Sequence, residues 1–234
     1  MRKYAITVLL LLLTLTATPL LAQSNVPDLN GLWDGVGNSA NLVQAMKAQG
    51  KQVPFTAYGA QRYKSADMAK NPNGFCLPPG PSRAVTGPSP FQIVQSPGTV
   101  AILFENHFIY RLIYTDGTKH PDDINDYPAF MGHSIGHLEG DTLVVDTVGI
   151  NDRTWLDSNG LEHSDKLHLT ERFRKTAPDR IHYSVTYNDP VFFTNPWTFD
   201  LDLKRLKDTR LLEYVCEENE RDSKRLQPTP RAQQ

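Results

Sequence analysis

The sequence predicts a mainly β fold: an antiparallel up-and-down barrel, calycin-like in outline, with two short N-terminal helices. Three observations carry this. From Phe91 onward, apolar residues recur with period two, the repeat of strands with one buried face. Tight turn signals separate the runs: Pro97-Gly98, Asp116-Gly117, Gly140-Asp141 and Lys207-Asp208. Hairpins join nearly every neighbour, which favours up-and-down closure over a Greek key.

Residues 1–22, MRKYAITVLLLLLTLTATPLLA, have the basic start, apolar run and small-residue cleavage region of a secretory signal peptide. The run falls short of the roughly 20 apolar residues of a membrane span. The expected mature protein is therefore periplasmic or secreted, with no membrane contact after cleavage. Residues 23–220 are read as one barrel domain and 221–234 as a flexible polar tail. Cleavage removes two basic residues from a chain of formal net charge −2, leaving it more acidic. That balance argues against a nucleic-acid partner.

Leu32–Val36 is a possible first strand, followed by a Gly-rich turn. SANLVQAMKAQG reads as a helix capped by Asn38 or Ser39 and stopped by Gly50. TAYGAQRYKSADMAK is a second, ended before Pro72. The Pro-rich stretch 71–90 reads as an ordered loop. Nine strands then follow: 91–96, 99–105, 108–115, 133–139, 142–150, 167–175, 179–189, 197–206 and 209–216. A long polar loop interrupts them at 117–132. GVGNSA matches a dinucleotide fingerprint but lacks the βαβ context that such a site requires.

The two cysteines, Cys76 and Cys216, suit a single disulfide in an oxidising compartment; two separate buried thiols are the alternative. Alternation places Arg111, Asp146, Glu171 and Glu213 on strand faces with apolar neighbours. A buried charge costs several kcal/mol unless paired or wetted. Either a polar network lines a ligand cavity inside the barrel, or it is a structural network closing one end. For a cavity, Arg111 would anchor an acidic or hydroxylated ligand, with Tyr110, Trp155 and Glu213 around it.

GHSIGHLEGD, residues 132–141, holds two patterns. His133 and His137 are four apart, a metal spacing on a helix. On the expected strand they lie about 13 Å apart, too far to share a zinc with bonds of about 2.1 Å; no metal and no cofactor are expected. Gly132-His133-Ser134-Ile135-Gly136 fits G-x-S-x-G, but the helix that a nucleophile elbow needs does not follow. Residues 151–173, one loop and the strand after it, gather Asp152, Trp155, Asp157, His163, His168 and Glu171. Histidine beside carboxylate is the usual acid–base pair at neutral pH. His133 and His163 could meet at the barrel mouth, with Asp157 and Glu171 orienting them. The structural alternative is a packed loop plugged by Trp155. His107 and His120 read as solvent-exposed.

MGHSIGHLEGDTLVVDTVGINDRTWLD, HSDKLHLTERFR and RLLEYVCEEN, with CLPPGPSR and YGAQRYK, resemble a group of secreted bacterial proteins. In that group the forms GHSIGxWEGDTLVV, TWLD and TERF recur. The resemblance spans about residues 28–220. It implies one secreted domain and adds weight to His133, Trp155, Asp157, His163 and Glu171, without implying a reaction. His137-Leu138 stands where the group often has a basic residue and Trp. The expected function is binding of a small, partly apolar molecule, aromatics among the candidates, in the barrel cavity. One alternative is a cofactor-independent lyase, isomerase or hydrolase using the histidines and carboxylates. Another is a structural or partner-binding role.

Overall fold

Among the described residues, nine strands close on themselves in chain order, each paired with the next and the last with the first. They are β1 (Gly31–Gly35), β2 (Phe91–Ser96), β3 (Thr99–Phe104), β4 (Tyr110–Tyr114), β5 (His133–Glu139), β6 (Thr142–Val148), β7 (His168–Ala177), β8 (Arg180–Asn188) and β9 (Trp197–Leu206). The structure is a computed structural model and describes residues 27–37 and 40–216. The expected signal peptide, the caps Asn38 and Ser39, and the tail 221–234 lie outside these residues.

The closed barrel matches the sequence reading, with three corrections. First, residues 209–215 are not a strand; they run as largely exposed coil to Cys216. Second, one pairing is parallel: β4 and β5 meet only at Ile113–Ser134 and Tyr114–Ile135. Chain parity explains this. Strands that only alternate direction cannot close in an odd number, and β1 and β9 are antiparallel. One other neighbour must therefore be parallel, and the 115–132 connection carries the chain back over the outside to make it so. Third, the Pro-rich stretch contains a helix.

Helices α1 (Leu42–Ala48) and α2 (Ala57–Lys64) are the two expected ones. Asn41 caps α1, accepting from Gln44 N–H at 2.8 Å. The additional helix, α3 (Pro81–Thr86), starts with proline at its first turn and is buried at every residue. The three helices and loop 149–167 all belong to one end of the barrel. The opposite end carries the hairpin turns at 97–98, 140–141 and 178–179.

Inward residues follow the alternation. Trp33, Phe91, Ile93, Ile102, Ile113, Val145, Phe173, Tyr183, Val185, Phe199 and Leu203 are essentially without exposure. They form one cluster that fills the barrel axis. Tyr187 stacks on Trp197 with ring centroids 4.3 Å apart, and Phe193 meets Trp197 edge-on. The disulfide Cys76–Cys216, with Cα atoms 5.7 Å apart, ties the terminal coil to the segment before α3. Among the described residues no helix is long and apolar enough to cross a membrane.

Candidate functional site at the parallel seam

The parallel seam has a buried polar inner face and an imidazole-rich outer face. Alternation builds both: on β5, His133 points out and Ser134 in; on β6, Asp146 points out and Thr147 in.

Inside, Arg111 joins five consecutive strands. Its Nε donates to Ser134 Oγ at 2.9 Å, and Nη2 to Thr147 Oγ1 at 2.7 Å. Nη1 donates to Glu171 Oε1 at 3.0 Å, and Nη2 also donates to Glu171 Oε2. Tyr183 O–H donates to the same carboxylate at 2.8 Å. Burial, then the charge on Glu171, pushes the Tyr183 phenol well above its ordinary value, so it stays protonated as a donor. Arg111 and Glu171 are sealed from solvent, with side chains 1% and 0% exposed. The sequence places both charges on strand faces with apolar neighbours, and in the barrel those faces point inward. Four of the five guanidinium N–H groups are committed to protein partners, so Arg111 holds the seam closed rather than presenting itself to a ligand. Ser134 is buried at the second position of β5 within this network, not at the tip of a nucleophile elbow.

Outside, His120 Nδ1 and His133 Nδ1 lie 2.8 Å apart. His120 Nε2 contacts Asp146 Oδ1 at 2.9 Å, and His168 Nε2 contacts Asp146 Oδ2 at 2.7 Å. The Tyr114 ring stacks on His133. Burial pushes Asp146 up, but the hydrogen bonds from His168 and His120 outweigh it and hold the carboxyl below its usual value. The Asp146 hydrogen bond raises His168 against its own burial. His133 is lowered, by burial first and by His120 second. Asp146 therefore faces outward and not into the barrel, and His120 is part of a cluster rather than free in solvent.

Gly132 sets the approach to this site. Its φ is +62°, and a Cβ there would lie 2.7 Å from the Val148 carbonyl oxygen. Only glycine lets the chain turn so close to β6 as it begins β5. Beside it, a groove of about 380 Å³ opens along the seam. Tyr110, Tyr114, Met131 and His133 line it, with Arg111 and Ser134 behind. A second cavity of about 440 Å³ sits at the hairpin end, lined by Val100, Leu138 and Leu143 and rimmed by Gln95, Ser96 and His137.

The remaining expected residues lie elsewhere. Asp157 is buried and accepts three backbone N–H groups: Leu42 at 3.0 Å, Asn159 at 2.8 Å and Leu161 at 3.0 Å. Burial raises its pKa against those bonds. It anchors the loop to α1. Arg83 on α3 lies close by, hydrogen-bonded to Asn71 and Ser158. Burial lowers this guanidinium to about 10, opposed by Asp157.

His163 is buried, with Nε2 2.6 Å from Thr154 Oγ1 and Nδ1 2.8 Å from the Ser164 carbonyl. A carbonyl can only accept, so Nδ1 carries the proton and Thr154 donates to Nε2. Burial lowers its pKa. His133 and His163 share no partner, and the expected pair at one mouth does not form. Trp155 is buried as the loop's plug. Glu213 sits on the exposed terminal coil, away from any inward strand face. Tyr110 is 64% exposed and belongs to the outer groove, not a barrel lining. His107 is not exposed: it is half-buried in a tight turn at φ 63°.

Sequence reasoning did not identify the His120–Asp146–His168 group. The outward faces of β6 and β7 placed two members within reach, but His120 comes from an irregular loop with no periodic signal. Among the described residues, no set of three or more His, Cys, Asp or Glu is arranged to hold a metal.

No family model matches this chain, and no curated protein does. Solved structures similar to it include the REP1-NXSQ fatty acid transporter, at 12% identity and a TM-score of 0.38 over 78% of this chain and 98% of that one. A point mutant of that transporter gives 13% and 0.35, over 76% of this chain and 98% of the other. A mutant of the fluorescent protein UnaG gives 12% and 0.34, over 77% and 97%. At these values the likeness extends no further than a barrel outline.

Proposed function

We propose that this protein binds a small, partly apolar molecule in the β4–β5 groove. Its ring would lie among Tyr110, Tyr114 and Met131, and its hydrogen-bonding group would face His133. The observation that carries this reading is the groove itself: about 380 Å³ lined by aromatic side chains and one imidazole. Small-molecule sites are typically concave, largely apolar and equipped with a few convergent polar groups. The barrel axis is a poorer candidate, since the packed cluster from Trp33 to Leu203 occupies it. The Cys76–Cys216 bridge supports an oxidising, extracytoplasmic setting for this activity.

Chemical-shift mapping with 4-nitrophenol as probe tests the reading. Titration is expected to move the amides of Tyr114, Met131 and His133, and Tyr110→Ala is expected to weaken binding. Shifts confined to Val100, Leu138 and Leu143 would transfer the site to the hairpin end; no shifts would refute the groove.

A further inference from the structure

We infer that His133 is a general base, held in a single tautomer by His120 and Asp146, and that the groove supports proton abstraction from a weakly acidic group on its ligand. The inference rests on the proposed groove and adds chemistry to it.

Donor–acceptor parity carries the argument. Asp146 is a carboxylate and can only accept. The His120 nitrogen facing it, Nε2, must therefore carry a proton. A neutral imidazole has one N–H, so His120 Nδ1 is an acceptor. The nitrogen 2.8 Å from it, His133 Nδ1, must then donate. His133 Nε2 is left with a bare lone pair, and it has no protein partner among the described residues. The ring that carries this nitrogen lines the groove. Tyr114, stacked on the ring, restricts its rotation.

The same chain removes charge after proton uptake. When Nε2 takes a proton, the Nδ1 proton can pass to His120 Nδ1, leaving the positive charge beside Asp146. His120 and Asp146 are thus positioning residues, and His133 is the group that touches the ligand. The ionisable groups facing this chain are Asp146 from β6, His168 from β7, Tyr114 from β4 and His120 from the crossover. The second Asp146 oxygen is held by His168, which fixes the carboxylate. Burial of His133 keeps the ring neutral near pH 7, the state a base needs.

The test uses 5-nitrobenzisoxazole, a small fused aromatic that reports base strength directly. The base takes the C3 proton, the C–H electron pair completes the nitrile, and the N–O bond breaks to leave a coloured phenolate. The imidazolium then returns its proton to solvent. The intact protein is expected to accelerate this reaction, with the rate falling in acid as His133 protonates. His133→Ala should remove about a hundredfold or more of the protein-dependent rate, with His133→Gln as a second variant that keeps a polar side chain. Asp146→Ala should lower the rate and alter its pH profile while the probe still binds. Long-range nitrogen–proton NMR should show His133 protonated on Nδ1 alone at neutral pH.

A bound probe with no acceleration, or a rate unchanged by His133→Ala, would overturn the base and leave the binding site standing. A proton found on His133 Nε2 would do the same. Absence of probe binding would overturn the groove and the base together.

Discussion

Arg111 on β4 and Glu171 on β7 form a sealed two-point ion pair that reaches across the two intervening strands. Ser134 and Thr147, from those strands, bond the same guanidinium. Where β4 and β5 share only two register positions, these side chains replace missing backbone ladder.

Arg111→Met is therefore expected to destabilise the fold by about 3–5 kcal/mol, because it strands a buried carboxylate. Glu171→Leu should cost a similar amount. The double variant Arg111→Met with Glu171→Leu should cost less than the sum, since no unpaired charge is left. Urea unfolding of the four proteins measures the coupling; strict additivity would show that the pair does not act as a unit.

Asp157 is expected to matter for stability and not for ligand affinity. Asp157→Ala leaves three N–H groups without their acceptor, at about 1–3 kcal/mol for each one that stays buried and unmet. A loss of about 2–4 kcal/mol is expected, with 4-nitrophenol affinity unchanged. A selective loss of affinity would return Asp157 to the binding site.

His163 should make the protein acid-sensitive. Its folded pKa lies below the unfolded value of about 6.5, so the unfolded chain binds more protons as pH drops. The stability it supports is complete above pH 6.5 and declines as pH falls toward the folded value. His168, raised by Asp146, works the opposite way: its contribution is complete below about 6.5 and fades as pH rises through the raised value. His163→Gln is thus expected to reduce the loss of stability between pH 7.5 and 5, measured by denaturant unfolding at each pH, and His168→Gln to enlarge it.

The disulfide closes a sequence separation of 140 residues. Its reduction is expected to cost about 2–5 kcal/mol. Among the described residues, the coil it anchors is tied to the β3–β4 connection by Leu212 N–H donating to Glu105 Oε2 at 3.0 Å and by the Tyr214 ring, whose centroid lies 6.4 Å from that of His107. Reduction should then open the bonds after Lys207 and Arg210, both exposed, to trypsin, and the oxidised protein should resist at those two bonds.

Much of the barrel is legible in the sequence because period-two alternation reports burial directly. It gives eight strands, plus the additional one at Leu32–Val36, and it puts Arg111 and Glu171 on faces with apolar neighbours. It fails at residues 209–215. Leu211 and Val215 alternate as a strand would, yet the β9–β1 pairing has already closed the sheet and no edge is available. Counting that segment as a strand gave an even total and hid the need for a parallel pair. The outer site is half legible: His133 stands out in sequence, while its partner His120 is brought by a loop whose path no local pattern encodes. His163 and Asp157 mislead for a physical reason. Polar groups that satisfy a buried loop are the same residue types that build acid–base sites.

The two-position contact between β4 and β5 also divides the molecule kinetically. The meander β2–β4 and the ladder β5–β9 can each form from hairpins, whereas they join only where β4 meets β5 across the 115–132 crossover and where β1, from far along the chain, pairs with β2 and β9. Amide protons of β4 should therefore exchange before those of β7 and β8, whose ladder runs without a break from His168 to Lys175. The groove would then lie at the hinge between two foldons, where a ligand that bridges Tyr114 and Met131 slows opening.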